Sequence, residues 1–134
     1  MGVELRVYIP DRLTEGYGPN THALLALKSE GMDTVITVDC GILSFDPLAA
    51  AAEAGLNVVV VDHHKADTRL PDAVAVVNPN RLDEGEAHEK YGHLAAVGVV
   101  FLLVVALNRT LKAKGYFADK KAPDLLQLLD LVAL

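Results

Sequence analysis

NVVVVDHH, residues 57–64, decides how this chain is read. Four consecutive valines make an unbroken apolar run, the pattern of a strand whose sheet is covered by helices on both faces. A half-exposed strand would alternate instead. The run then stops at Asp62, His63 and His64, three groups that are costly to bury without partners. In open α/β sheets the carboxyl ends of the strands are where ligands sit. The triplet therefore reads as chemistry placed at a strand end.

A second strand of the same kind lies upstream. DTVITVDCG, residues 33–41, is rich in β-branched residues and ends on Asp39. Between the two, Ser44 predicts an N-cap for FDPLAAAAEAG, with Pro47 in the first turn and Gly55 as the stop. A strand, a helix and a second buried strand form a crossover unit, which is right-handed and makes the strands parallel. Further out, VELRVYI (3–9) predicts a strand ending at Pro10, and PDRLTEGYGPN a loop. A helix from Asn20 or Thr21 to Glu30 is closed by Gly31. Downstream, AVAVVNP (73–79) predicts a short fourth strand, and the charged residues 80–92 a surface loop. A long helix from His93 to about Lys114 stops at Gly115, and Pro123 and Asp124 open a last one. The fold class is α/β: a parallel, Rossmann-like sheet of three to four strands with flanking helices, followed by two C-terminal helices.

At 134 residues, 51% hydrophobic and 22% charged, the chain lies in the range of one ordinary globular domain. A net charge of −6 gives no general basic surface, so contact with phosphates has to come from local groups. The single cysteine, Cys40, excludes an internal disulfide and suits a reducing cytoplasm. MGVELRVYIP shows no apolar core of a signal peptide. LAAVGVVFLLVVAL (94–107) is shorter than the ~20 apolar residues that span a bilayer, so it predicts a buried helix and no membrane partner. Gly98 within it costs about 1 kcal/mol relative to alanine, which points to close packing.

Asp62, His63 and His64 offer carboxylate oxygen and imidazole nitrogen, a donor set for a divalent cation. Adjacent side chains point apart, so one histidine ligates and the other faces a substrate. A turn of ordinary polar residues is the alternative for this triplet alone. Asp39, read alone, is equally a turn former. Two acidic strand ends in consecutive units, about 4.8 Å apart as neighbouring strands are, favour the metal reading. Gly41 lets the backbone turn away from that point. In RLTEGYG, Arg12 can contact a phosphate and Tyr17 can stack on a base or sugar; a turn-rich connector explains the stretch equally well. Asn78-Pro79-Asn80 reads as a turn starter. His22, His88 and His93 read as a cap, an exposed loop residue and a helix start, and Cys40 as a small buried side chain.

YIPDRLTEGYG, VITVDCGILS, VVVVDHH, LPDAVAVVNPN and LAAVGVVF stand here in the order in which they stand in RecJ-type single-strand DNA exonucleases. The chain thus resembles that branch of the DHH phosphoesterase superfamily over residues 5–134. The resemblance implies a phosphodiester hydrolase that uses two ions of Mn²⁺ or Mg²⁺, acting 5′→3′ on single-stranded DNA in repair and recombination. It implies Asp39 and His63 as metal ligands, His64 facing the scissile phosphate, Asp62 supporting that cluster, and Arg12 as a substrate contact; Tyr17, from its own chemistry, is the second substrate-contact candidate in that loop. It also implies that an Asp-x-Asp-Gly metal motif precedes VYIP and that a last metal aspartate follows LLDLVAL. Residues 1–134 are accordingly expected to be a partial DHH domain, inactive by itself, with an open sheet edge prone to self-association. Two other readings compete: a phosphodiesterase for short oligonucleotides or cyclic dinucleotides, and a metal-free α/β binding or assembly module.

Overall fold

In a computed structural model of the chain, describing residues 5–83 and 85–132, three strands run parallel in the order β1-β2-β3. They are Thr34–Val38 (β1), Asn57–Val61 (β2) and Ala75–Val77 (β3). The register pairs Val38 with Val61 and Val61 with Val77, so all three carboxyl ends finish level. The reason for the valine run is visible in the middle strand. Val58 and Val60 join a core with Leu24, Leu48, Ala51 and Leu56. Val59 and Val61 point the other way, to the side closed by a long helix that touches β2.

The core helices begin as the sequence predicts. The first, α1 (Thr21–Ser29), is capped by the Asn20 side chain, which accepts from the Ala23 amide at 2.8 Å. The second, α2 (Phe45–Glu53), starts just after Ser44, but the Ser44 hydroxyl makes no cap bond. Its carbonyl instead accepts the first helical bond, from Leu48 at 3.1 Å.

Four expectations are corrected. Residues 5–9 form no strand, and Leu5, Val7 and Ile9 are exposed; Val3 and Glu4 lie outside the described residues. An alternating segment with no neighbour to supply ladder bonds has no reason to stay extended in a sheet. Residues 80–92 are not all loop, because Gly85–Tyr91 is a helix, α3, with no buried residue. Lacking an apolar stripe, it leaves no periodic signal. The long helix, α4, is Ala96–Ala113, three residues shorter at its start than expected. It is also not buried: Gly98 and Val99 are its only buried residues, and Val97, Leu102, Val105 and Leu107 are exposed. By length and composition α4 would reach across a bilayer, as helices packed on a globular core also do. Here one side of it lies on β2 and on the last helix. That last segment is a 3₁₀ turn, Leu125–Leu128, capped by Asp124 and followed by α5, Leu129–Val132.

Among the described residues, β1 has one strand neighbour, β2. Ile36 and Val38, on the face that α4 covers farther along the sheet, are 56% and 51% exposed. The cover stops short of this edge strand.

Candidate metal centre

The ladder continues one residue past each strand. Asp39 donates its amide to the Val61 carbonyl and Asp62 its amide to the Val77 carbonyl, both at 3.0 Å. The two aspartates are therefore fixed relative to each other by main-chain bonds. After Asp39 the chain has to turn sharply. Asp39 itself has φ +63°, the left-handed region that aspartate tolerates better than most residues. Gly41 follows at φ +110°, where a Cβ would stand 2.8 Å from Thr37 Oγ1 and 3.3 Å from Val60 Cγ1. Only glycine fits there. The Tyr17 hydroxyl donates to the Asp39 carbonyl and Thr37 Oγ1 to the Cys40 carbonyl, so the turn is held from both sides.

Asp62 answers the question of buried charge. It is 1% exposed, and both oxygens are in use. Oδ1 accepts from the amides of His63 (2.7 Å) and His64 (3.2 Å) and pairs with His64 Nδ1 at 2.7 Å; Oδ2 accepts from the Ile42 amide at 3.1 Å. Burial pushes its pKa up, but the hydrogen bonds from His64 and from the Ile42, His64 and His63 amides outweigh burial and hold it below the usual value. Asp62 is an anion that only accepts.

That fixes the tautomers. His64 Nδ1 faces an acceptor, so it carries the proton and leaves Nε2 with the lone pair. His63 Nδ1 lies 3.1 Å from the Leu94 carbonyl, which also only accepts, so its lone pair is likewise on Nε2. Yet His63 Nε2 points at Asp39 Oδ1 from 3.2 Å. A lone pair facing a carboxylate needs a positive charge in between, either a proton or a cation. Asp39, His63 and His64 each offer one ligand atom within 4.8 Å of the others, the one such cluster among the described residues. One carboxylate oxygen and imidazole nitrogens suit a divalent first-row metal, and each imidazole has its other nitrogen hydrogen-bonded, as metal-bound histidines do. These residues fit a cation. A Cβ on Gly98 would meet Leu94 Cβ at 3.3 Å, a crowding within its own segment one turn back.

Both candidates from the RLTEGYG loop reach the rim. The Tyr17 ring meets His64 edge-on, centroids 6.2 Å apart, and Arg12 Cζ lies 5.7 Å from the Tyr17 centroid. Burial first, then the charges of Asp39, Cys40 and Asp62, raise the Tyr17 pKa, so its hydroxyl stays a donor. Glu15 shapes the loop by accepting from the Tyr8 hydroxyl and from the Asp11 amide at 2.8 Å. Cys40 is half-buried, its Sγ 3.4 Å from the Val38 carbonyl, and burial pushes the thiol pKa up. His22 and His93 take no part in the cluster.

The sequence reading missed the support beneath the histidines. Asn78 is buried and donates to the His64 carbonyl at 2.9 Å, while Asn80 donates to the His63 and Gly92 carbonyls. Their position after β3, level with Asp39 and Asp62, was the available signal. The Leu94 carbonyl had none, because a main-chain acceptor carries no residue signature.

With this geometry in hand, the chain can be set beside known proteins. It is 42% identical over 128 residues to the single-stranded-DNA-specific exonuclease RecJ of Salmonella typhimurium, covering 94% of this chain and 22% of that protein. To the enzyme of the same name from Bacillus subtilis it is 38% identical over 134 residues, 100% of this chain and 15% of that one. The chain thus spans about a fifth or less of these relatives. A crystal structure of exonuclease RecJ bound to manganese superposes with a TM-score of 0.65 at 32% identity, over 87% of this chain and 26% of that one. The parallel sheet with its flanking and C-terminal helices is the shared part. Residues 1–134 match the DHH family, N-terminal domain, and the chain belongs to that family.

Proposed function

We propose that residues 1–134 are a partial DHH domain from a metal-dependent 5′→3′ exonuclease acting on single-stranded DNA in repair and recombination in the cytoplasm. The similarity to RecJ enzymes supports the substrate class, and the manganese in the RecJ crystal structure supports Mn²⁺, with Mg²⁺ as the other candidate. The observation that carries the reading is His63 Nε2 facing Asp39 Oδ1 at 3.2 Å while its Nδ1 is engaged by the Leu94 carbonyl. Asp39 and His63 serve as ligands. Asp62 stays ionised, holds His64 by Nδ1 and orients its free nitrogen outward, toward a scissile phosphate. Arg12 at the rim supplies positive charge for a neighbouring phosphate, and Tyr17 presents a partly exposed ring face to a nucleotide. A bound divalent ion would polarise the phosphodiester and lower the pKa of an attacking water. Open edge strand β1, with Ile36 and Val38 uncovered, is the place where the separated domain would self-associate.

The test is a Mn²⁺ titration followed by electron paramagnetic resonance, paired with turnover of single-stranded DNA by the longer enzyme. Asp39→Ala and His63→Ala should lose ion binding and activity together. His64→Ala should keep most of the binding and lose most of the rate, since it acts on charge developing in the transition state. Unchanged Mn²⁺ binding in Asp39→Ala would refute the centre, and equal loss of ion in His63→Ala and His64→Ala would refute the division of roles.

A further inference from the structure

Asn78-Pro79-Asn80 reads from sequence as a turn, yet its side chains are spent elsewhere. Asn80 donates its amide to Asn78 Oδ1 at 2.7 Å, which closes the turn. Asn78 Nδ2 then reaches the His64 carbonyl, and Asn80 Nδ2 bridges the His63 carbonyl and the Gly92 carbonyl. Both donors of Asn80 face acceptor-only oxygens, so the orientation of its amide is fixed. Its Oδ1 consequently faces His88 Nδ1 at 2.7 Å, and His88 must donate. Every polar atom of the Asn80 side chain is matched.

The consequence for His63 is a two-point attachment to one short segment. Its carbonyl is tied through Asn80 to Gly92, and its ring through Nδ1 to Leu94. A residue held at both backbone and ring has little rotamer freedom left. The segment from α3 to the start of α4, outside the strand that carries His63, thus sets where the ring points. The space is filled as well: a Cβ on Gly92 would stand 2.7 Å from the His88 carbonyl oxygen and 2.8 Å from Asn80 Oδ1.

We propose that Asn78 and Asn80, braced by His88 and Gly92, are positioning residues that aim the His63 imidazole at Asp39. The link to ion binding rests on the metal reading above; the aiming of the ring does not. The experiment therefore has a metal-free arm. In the full chain labelled with ¹⁵N-histidine and stripped of divalent ions, His63 Nδ1 should carry a proton held by the Leu94 carbonyl and exchanging slowly with water. Asn80→Asp, which puts a carboxylate against two carbonyl oxygens, should loosen the ring from that carbonyl and speed the Nδ1–H exchange. Gly92→Ala should do the same by displacing Asn80 without removing a polar group. In the second arm, both variants should weaken Mn²⁺ binding roughly ten-fold or more, the scale seen when partners behind metal-bound histidines are lost. Conservative His88→Asn, whose amide nitrogen takes the place of Nδ1, should keep a donor on Asn80 Oδ1 and stay closest to wild type.

If both variants keep the slow Nδ1–H exchange of the wild type, the proposal is overturned. If both unfold outright, it is overturned too, because the pair would then hold the fold and not the ring. Wild-type protein that binds no Mn²⁺ refutes the metal reading alone, and the Nδ1–H exchange still decides this one.

Discussion

Replacing Asp62 with asparagine preserves the shape of a side chain that is wholly buried and removes its charge. Its four accepted contacts are divided three to one: Oδ1 takes the amides of His63 and His64 and Nδ1 of His64, and Oδ2 takes the Ile42 amide. The asparagine oxygen can keep the side with three donors. Its NH₂ group then faces the Ile42 N–H, donor against donor, in a place that water does not reach. A buried donor left without its acceptor costs about 1–3 kcal/mol, and the three remaining bonds lose the strengthening that an anionic acceptor gives. We expect Asp62→Asn to lose about 2–4 kcal/mol at neutral pH, seen as a melting temperature roughly 10 °C lower. The assay is urea denaturation in the presence of a chelator, repeated from neutral to acid pH. The folded-state pKa of Asp62 is depressed below the unfolded value of about 3.9. Its stabilisation is therefore complete above that value and is lost as pH falls through the folded pKa. The asparagine variant lacks this loss, so the gap between the two proteins should be widest at neutral pH and close in acid. Equal stability at neutral pH, or a gap that does not narrow in acid, would refute the reasoning.

Gly41→Ala places a methyl group 2.8 Å from Thr37 Oγ1 at a positive φ, and should destabilise by about 1–3 kcal/mol in the same denaturation assay; a neutral result would mean that the turn is looser than described. Cys40 has a raised pKa from burial, hence less thiolate at any given pH, and should react with iodoacetamide more slowly than free cysteine at mildly alkaline pH. An equal or faster rate, followed by mass spectrometry, would contradict this. If Asp39 and His63 are the ligands and His64 faces the phosphate, the described residues hold too few donors for two ions, and the 134-residue chain should leave 5′-labelled single-stranded DNA uncut in millimolar Mn²⁺. Cleavage abolished by His63→Ala would show that these residues suffice.

What could be read from the sequence was whatever left a local pattern. The valine run announced a doubly covered strand, Asn20 and Gly31 bracketed α1, and two acidic strand ends pointed to where Asp39, His63 and His64 come together. The strand expected at residues 3–9 failed because alternation states which face a strand would bury and says nothing about whether a neighbour exists. Helix α3 was missed because it buries nothing and so carries no stripe. α4 was placed to within three residues at its start, but its burial was not foreseen, since an apolar composition does not reveal how much of a helix finds a partner. Asn78 and Asn80 bind main-chain carbonyls, and the Leu94 carbonyl binds the His63 ring, across 14 to 31 residues, relations that exist only once β2, β3 and the α3–α4 corner are folded together.

The centre straddles two strands of unequal protection. His63 extends from β2, which is hydrogen-bonded on both sides, whereas Asp39 extends from β1, which among the described residues is bonded on one. Peripheral strands open more readily in the native-state fluctuations that amide hydrogen exchange reports. Each time β1 frays, its carboxylate leaves the imidazole. A cation shared by Asp39 and His63 would act as a rivet between rim and interior, and by mass action it would slow exchange at the β1 amides well before it altered those of β2. Loading of the centre and order at the sheet margin are thus one equilibrium.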